Sequence, residues 1–250
     1  MIIITNQKKL LFAVRALEKI ISRNVSLPIL NSILIKTENG RVKLAATNLE
    51  VGINYWIGAR IEENGEIAIP ARIFSDFLSN ITDENVTLKV QKNVVSINSD
   101  HYKTQILGME TKDFPIIPKI LKNSPFKINS LTLKNALMNV FDSIAISETR
   151  PELSGIYINI VNNRAEFAAT DSFRLSEKII ELKDGVSGSF ILPRNTAVEI
   201  MRLMESLDED VNFVVSENQI LIFGEDFEII SRLIDCHYPE YKRVIPDKFI

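Results

Sequence analysis

The chain has 250 residues, 46% apolar and 24% charged, with a formal net charge of −3. That is the composition of a globular protein of one large or two ordinary domains, and no apolar run reaches the ~18 residues of a membrane span. Cys236 is the single cysteine and His101 and His237 the two histidines, so an internal disulfide framework is excluded and a His/Cys metal cluster is barely possible.

In chain order, Met1–Ile4 is β-branched and reads as a strand. Thr5 or Asn6 can cap the helix that follows, predicted to run to about Ser22. Leu10, Val14, Leu17 and Ile21 share one buried face of it, while Lys8, Arg15 and Lys19, with Arg23 just beyond, lie on another. Ser26-Leu27-Pro28 breaks the helix. Strands are predicted at Ile29–Thr37, Arg41–Ala46 and Val51–Ile57, the first two joined by Asn39-Gly40, a pair that tolerates positive φ in a tight hairpin. Gly65–Ile69 reads as a strand and Pro70 opens a helix over Ala71–Ile81. Strands at Val86–Val90, Val94–Asn98 and Tyr102–Leu107 complete a βαβββ-βαβββ order.

The second half repeats it. Ala45-Ala46-Thr47-Asn48 returns 123 positions later as Ala168-Ala169-Thr170-Asp171. At the same offset Pro28 answers Pro151, Asn39-Gly40 answers Asn162-Asn163, and Pro70 answers Pro193. Leu10, Val14 and Leu17 answer Leu133, Leu137 and Val140; near the end Phe114-Pro115 answers Tyr238-Pro239 with a slip of one. Predicted elements are a strand at Phe126–Ile128, a helix at Ser130–Ile146, three strands, a strand at Gly188–Leu192, a helix at Arg194–Leu207 and three strands. A fixed long offset is the mark of a duplicated domain. The prolines between Pro115 and Pro125 place the boundary near Leu121–Pro125, with domains at 1–121 and 126–250. Helices beside runs of antiparallel strands make an α+β fold.

Catalytic signatures are missing. The nine glycines form no phosphate-binding loop, and no G-x-S-x-G turn occurs. Asp171, Asp235 and Glu240 form no marked pair. An enzyme is not expected: no catalytic residue, no metal ligand and no cofactor is assigned. The start, Met1-Ile2-Ile3-Ile4-Thr5-Asn6, lacks the charged leader of a secretion signal, so a cytoplasmic location is expected.

Leu27-Pro28-Ile29-Leu30, Ile69-Pro70-Ala71-Arg72, Ala168-Ala169-Thr170-Asp171 with Arg174-Leu175, and Tyr238-Pro239-Glu240-Tyr241-Lys242-Arg243-Val244-Ile245-Pro246 together resemble the bacterial DNA sliding clamp family, the β subunit of DNA polymerase III. The resemblance covers essentially the full length. It implies two tandem clamp domains, with antiparallel sheets outside and two helices of each on the inner face of a six-domain ring. It also implies an accessory factor without an active site, nucleoid-associated, that encircles double-stranded DNA and tethers DNA polymerases and the clamp loader. The DNA-facing candidates are Lys8, Arg15, Lys19, Arg23, Arg72, Arg194 and Arg202. In the second repeat Leu131, Met138 and Asp142 stand where the first has Lys8, Arg15 and Lys19.

The partner-peptide pocket implied by the family maps to Leu153, Thr170, Ser172, Phe173, Arg174, Leu175, Pro239, Arg243 and Val244. Ser172-Phe173 replaces the family's Gly-His, and a phenylalanine there can fill part of the pocket. The third family domain is missing from these residues. A ring then requires either a dimer of a longer native chain, the favoured reading, or a trimer of this one. The rival readings are a repeat-built peptide-binding scaffold that never meets DNA, and a hydrolase with an unmarked carboxylate site.

Overall fold

The computed structural model describes residues 1–21, 27–123, 125–146, 149–183, 187–205, 207 and 209–246. The chain groups into two compact units: residues 1–120 with Leu221–Ser231, and residues 121–220 with the chain from Arg232 onward.

In the first unit Ile2–Asn6 (β1) leads into the helix Gln7–Glu18 (α1). Asn6 is the cap; its side-chain oxygen accepts from the Lys9 amide at 3.2 Å, which satisfies one of the free first-turn donors. Strands Ser32–Glu38 (β2), Arg41–Thr47 (β3) and Val51–Ile57 (β4) form an antiparallel meander. Arg60–Glu63 (β5) and Glu66–Pro70 (β6) precede the helix Ala71–Ser79 (α2), and Asn85–Gln91 (β7), Val94–Asn98 (β8) and Lys103–Leu107 (β9) follow. One sheet has the order β5-β1-β7-β8-β9, and in another β4, β3, β2 and β6 are successive neighbours. Helix α1 packs on β3, β4 and α2, burying Leu10, Val14 and Leu17 completely.

The second unit rebuilds this plan with Phe126–Asn129 (β10), Ser130–Phe141 (α3), Gly155–Val161 (β11), Arg164–Thr170 (β12), Leu175–Glu181 (β13), Gly188–Pro193 (β14), Arg194–Met204 (α4) and Asp210–Ser216 (β15). Gln219–Phe223 (β16) and Phe227–Arg232 (β17) end the strands. The order β13-β12-β11-β14 is antiparallel throughout. Asn129 caps α3 as Asn6 caps α1, again at 3.2 Å. Within the first unit, β17 pairs antiparallel with β4, with Phe227 opposite Tyr55 and Ile229 opposite Ile53.

The duplication extends to backbone detail. Asn39 and Gly40 have φ of 50° and 76°, and Asn162 and Asn163 have 50° and 61°. Both two-residue hairpin loops thus use the left-handed region that Asn and Gly tolerate, the twist that suits a tight hairpin.

Several predicted boundaries are corrected. The helix predicted to Ser22 ends as α-helix at Glu18, and that predicted to Ile146 ends at Phe141. In both the backbone tightens into i→i−3 bonds: the Ile20 amide donates to Leu17 O at 3.3 Å and the Ser143 amide to Val140 O at 3.1 Å. Apolar spacing does not distinguish the two helix types over a single turn. The strand predicted from Ile29 begins at Ser32, because Pro28, with its fixed φ, opens a 3₁₀ turn over Pro28–Asn31. The helix predicted to Leu207 ends at Met204, and that predicted to Ile81 ends at Ser79. Strand β5 carries a single apolar residue, Ile61, opposite Ile3 of β1; its sequence offers no alternation to detect.

Candidate functional site

On α1, Lys8, Arg15 and Lys19 project from the solvent side, opposite buried Leu10, Ala13 and Val14. Their spacing of seven and four residues sets them in one stripe, with half-exposed Phe12 between them. Among the described residues none of the three has an ion-pair partner. Arg23 lies outside the described residues. On α2, Arg72 is exposed and stands 4.0 Å from Asp76 one turn on.

The second repeat is arranged differently. Arg194 lies over the Phe141 ring, 4.3 Å from its centroid, and is only partly exposed. Arg202 donates to Glu199 at 2.7 Å. The outer face of α3 presents Leu131 and Met138, 41% and 53% exposed, and its one lysine, Lys134, pairs with Glu205 at 3.3 Å. A cation already held by a carboxylate adds little net field. Of the described candidates, the three without any partner to their charge cluster at α1, while Arg194 keeps its charge against the Phe141 ring.

The peptide-pocket candidates divide into a turn and a core. In the turn Thr170–Arg174, Thr170 Oγ1 donates to Arg174 O at 2.7 Å and accepts from the Ser172 amide at 3.1 Å. Asp171 Oδ1 accepts from the Phe173 and Arg174 amides at 2.9 and 2.8 Å. Thr47–Val51 makes the same bonds: Thr47 Oγ1 to Val51 O at 2.9 Å, the Leu49 amide to Thr47 Oγ1 at 3.0 Å, and the Glu50 and Val51 amides to Asn48 Oδ1 at 3.0 and 2.8 Å. Leu49 and Ser172 share a positive φ, 75° and 76°. The repeated Ala-Ala-Thr-Asx sequence is thus a turn in which a threonine hydroxyl and an Asx oxygen close the loop from inside.

The second copy adds a guanidinium. Arg174 Nε and Nη2 both reach Asp171 Oδ2, at 3.0 and 2.9 Å. The backbone donors of Arg174 and Phe173, and then this guanidinium, hold the Asp171 carboxyl at about 2. Arg150, which sequence reasoning did not single out, donates to Ser172 Oγ at 2.9 Å. Its position before Pro151 carried no signal. Phe173 is 97% exposed, so its ring fills no cavity.

Leu153 is buried in a core cluster with Ala145, Ala168, Ile191, Tyr238 and Tyr241, and half-buried Leu175 packs against it. Tyr157 stacks on Tyr238 with centroids 4.7 Å apart. Burial pushes the Tyr238 phenol up to about 12. Burial, and then the Glu177 carboxylate that accepts from Tyr241 Oη at 2.6 Å, raises Tyr241 further. Pro239 and Arg243 line a depression of 310 Å³ with Tyr157, Tyr238, Tyr241 and Lys242. Leu153, Thr170, Ser172, Phe173, Arg174, Leu175 and Val244 lie outside it; Val244 is 71% exposed. Among the described residues no three His, Cys, Asp or Glu side chains are placed to hold a metal, and no helix is long and apolar enough to cross a membrane.

Residues 1–118 match the family model of the DNA polymerase III beta subunit, N-terminal domain, and residues 127–240 that of its central domain. The beta sliding clamp of Staphylococcus epidermidis is 28% identical over 241 residues, covering 92% of this chain and 64% of that protein. The chain thus spans 64% of the length of the curated relatives it matches. Among solved structures, a putative DNA polymerase III beta subunit from Eubacterium rectale superposes with a TM-score of 0.95 at 29% identity, over 100% of this chain and 69% of that one. The sliding clamp of Bartonella birtlesii bound to griselimycin superposes with a TM-score of 0.92 at 30% identity, over 99% and 68%.

Proposed function

Because the chain belongs to the bacterial DNA polymerase III beta-subunit family, the sliding clamps, we propose that it is a processivity clamp: a ring component that encircles duplex DNA and tethers polymerases and the clamp loader. What supports the reading most is the duplicated fold itself, which matches sliding clamps over nearly all of this chain. The cation distribution is consistent with it. A ring holds DNA by topology, so a few screened phosphate contacts suffice, and tight ones would stop sliding.

The clamp domains are taken as residues 1–121 and 126–250. Lys8, Arg15 and Lys19 are the principal DNA-facing residues, with Arg23, Arg72, Arg194 and Arg202 secondary. The factor works inside the cell at the nucleoid and performs no chemistry of its own. A six-domain ring takes three copies of these 250 residues, or two copies of a chain that carries a third family domain.

Partner peptides are assigned to the surface formed by the Thr170–Leu175 turn and Pro239–Val244, with Leu153 buried beneath it, where apolar residues lie beside Arg174 and Arg243. Griselimycin on the Bartonella birtlesii clamp is consistent with a ligand-binding surface in this family. Arg174→Ala is expected to weaken binding of a polymerase-tail peptide with the fold intact. The clamp reading is tested by loading the protein onto closed circular DNA and then linearising it. Retention on the circle and loss from the line is expected; equal retention on both would refute enclosure.

A further inference from the structure

Strands β2, β3 and β4 set Lys36, Lys43 and Trp56 side by side: Lys36 lies opposite Lys43, and Lys43 opposite Trp56. Residues directly opposed across an antiparallel pair share a face, so one ammonium stands between a second lysine and an indole. Lys43 Nζ lies over the Trp56 ring, 5.5 Å from its centroid. Both side chains are half-buried, and among the described residues Lys43 has no ion-pair partner.

Other lysines are held by carboxylates: Lys36 by Glu66 at 2.7 Å, Lys112 by Glu110 at 3.0 Å, Lys134 by Glu205 at 3.3 Å and Lys242 by Glu166 at 2.6 Å. A carboxylate in contact keeps an amine protonated, and a protonated amine has no lone pair with which to attack. The Lys36 and Lys112 ammonium groups are accordingly raised above 10.5 by their hydrogen-bonded glutamates. Lys43 moves the other way. Burial lowers it, with lesser help from the positive charges of Lys119 and Lys36, against the pull of Glu38 and Glu228.

We infer that Lys43 is a site of acylation, its Nζ taking the acyl group of a small acyl phosphate. The lone pair of the neutral Nζ adds to the carbonyl carbon; the C–N bond forms and the C–O bond to phosphate breaks. Inorganic phosphate leaves with the bonding pair, the surplus proton on nitrogen passes to water, and nothing is oxidised or reduced. The reagent suits the surroundings, because it is anionic and exposed Lys119 adds to the positive field at Lys43. A lysine amine desolvated against an apolar wall is an activated nucleophile. The amide product is neutral, so it escapes the burial that penalises the ammonium. Acylation there requires neither DNA nor a partner peptide.

Acetyl phosphate is the probe. The folded chain is incubated with it near neutral pH, and acetylation at each lysine is followed by peptide mass spectrometry. Lys43 is expected to react more than about threefold faster than Lys92 and Lys127, exposed lysines without an ion-pair partner among the described residues. Glu38→Gln removes the larger of the two opposing carboxylate charges and is expected to raise that ratio. In guanidinium chloride, where the indole no longer covers the amine, the preference is expected to vanish. Lys43 reacting no faster than Lys92 and Lys127, a ratio indifferent to Glu38→Gln, or a preference that survives unfolding would overturn the inference.

Discussion

The uneven placement of free cations makes a quantitative prediction about salt. Each phosphate neutralised by a protein cation contributes about 0.9 to the slope of log K against log salt on duplex DNA. Lys8, Arg15, Lys19 and Arg194 are the candidates without an ion-pair partner among the described residues, Arg194 lying on the Phe141 ring, whereas Arg202 is held by Glu199. Replacing all three α1 cations with alanine is therefore expected to reduce the slope by about 2.7 per chain. Between about 50 and 200 mM salt the unaltered protein then loses about 40-fold more affinity than the triple variant. Arg202→Ala removes a charge already countered and is expected to change the slope by well under ~0.9. Fluorescence anisotropy of a labelled duplex across that range reads both. Equal slopes for the triple variant and the parent, or an Arg202 effect as large as that of the α1 cations, would refute the assignment of phosphate contact to α1.

Leu10→Ala and Leu133→Ala remove equivalent side chains that are 0% and 1% exposed. Each is expected to cost about 2–5 kcal/mol by denaturant unfolding; a loss below ~1 kcal/mol in either would show that its core is not packed as described. Gly155→Ala drives a Cβ to 2.4 Å from Leu192 O and 2.9 Å from Ile191 Cγ2, so the β11–β14 pairing must shift. It is expected to lose about 1–3 kcal/mol. Gly52→Ala first meets the Ile117 side chain, at 2.9 Å, and is expected to lose less; the reverse ranking in thermal melts would contradict the geometry.

His101 is raised above 6.5 by its hydrogen bond to Asp83, at 2.7 Å, and Asp83 is held at about 2 by Ser99 and then His101. The histidine's contribution is full below 6.5 and fades as pH rises through its folded value. The carboxylate's is present above 3.8 and fades as pH falls toward 2. Asp83→Asn is expected to lower the His101 midpoint in an NMR titration, and an unmoved midpoint would exclude the pair.

Local hydrogen bonding makes much of this protein legible from residue type. Asn6 and Asn129 cap helices, Asn39-Gly40 and Asn162-Asn163 turn hairpins, and Thr47-Asn48 and Thr170-Asp171 close matching loops. Each depends on groups a few residues apart, so the side chains present nearly decide the geometry, and the repeat at 123 positions doubles every signal. Helix stripes are equally readable, since the 3.6-residue period places Leu10, Val14 and Leu17 on one face.

The tertiary structure decided what depends on distant partners. Lys134 and Lys19 look alike in sequence, yet one pairs with Glu205, far along the chain, and the other has no ion-pair partner among the described residues. Strand β5 is a strand because β1 lies beside it, and its own residues carry no alternation to announce it. The pairing of β17 with β4 joins residues more than 170 positions apart in the chain. Backbone pairing of that kind uses N–H and C=O groups that every residue but proline carries, so side-chain sequence encodes it only weakly and only the folded chain reveals it.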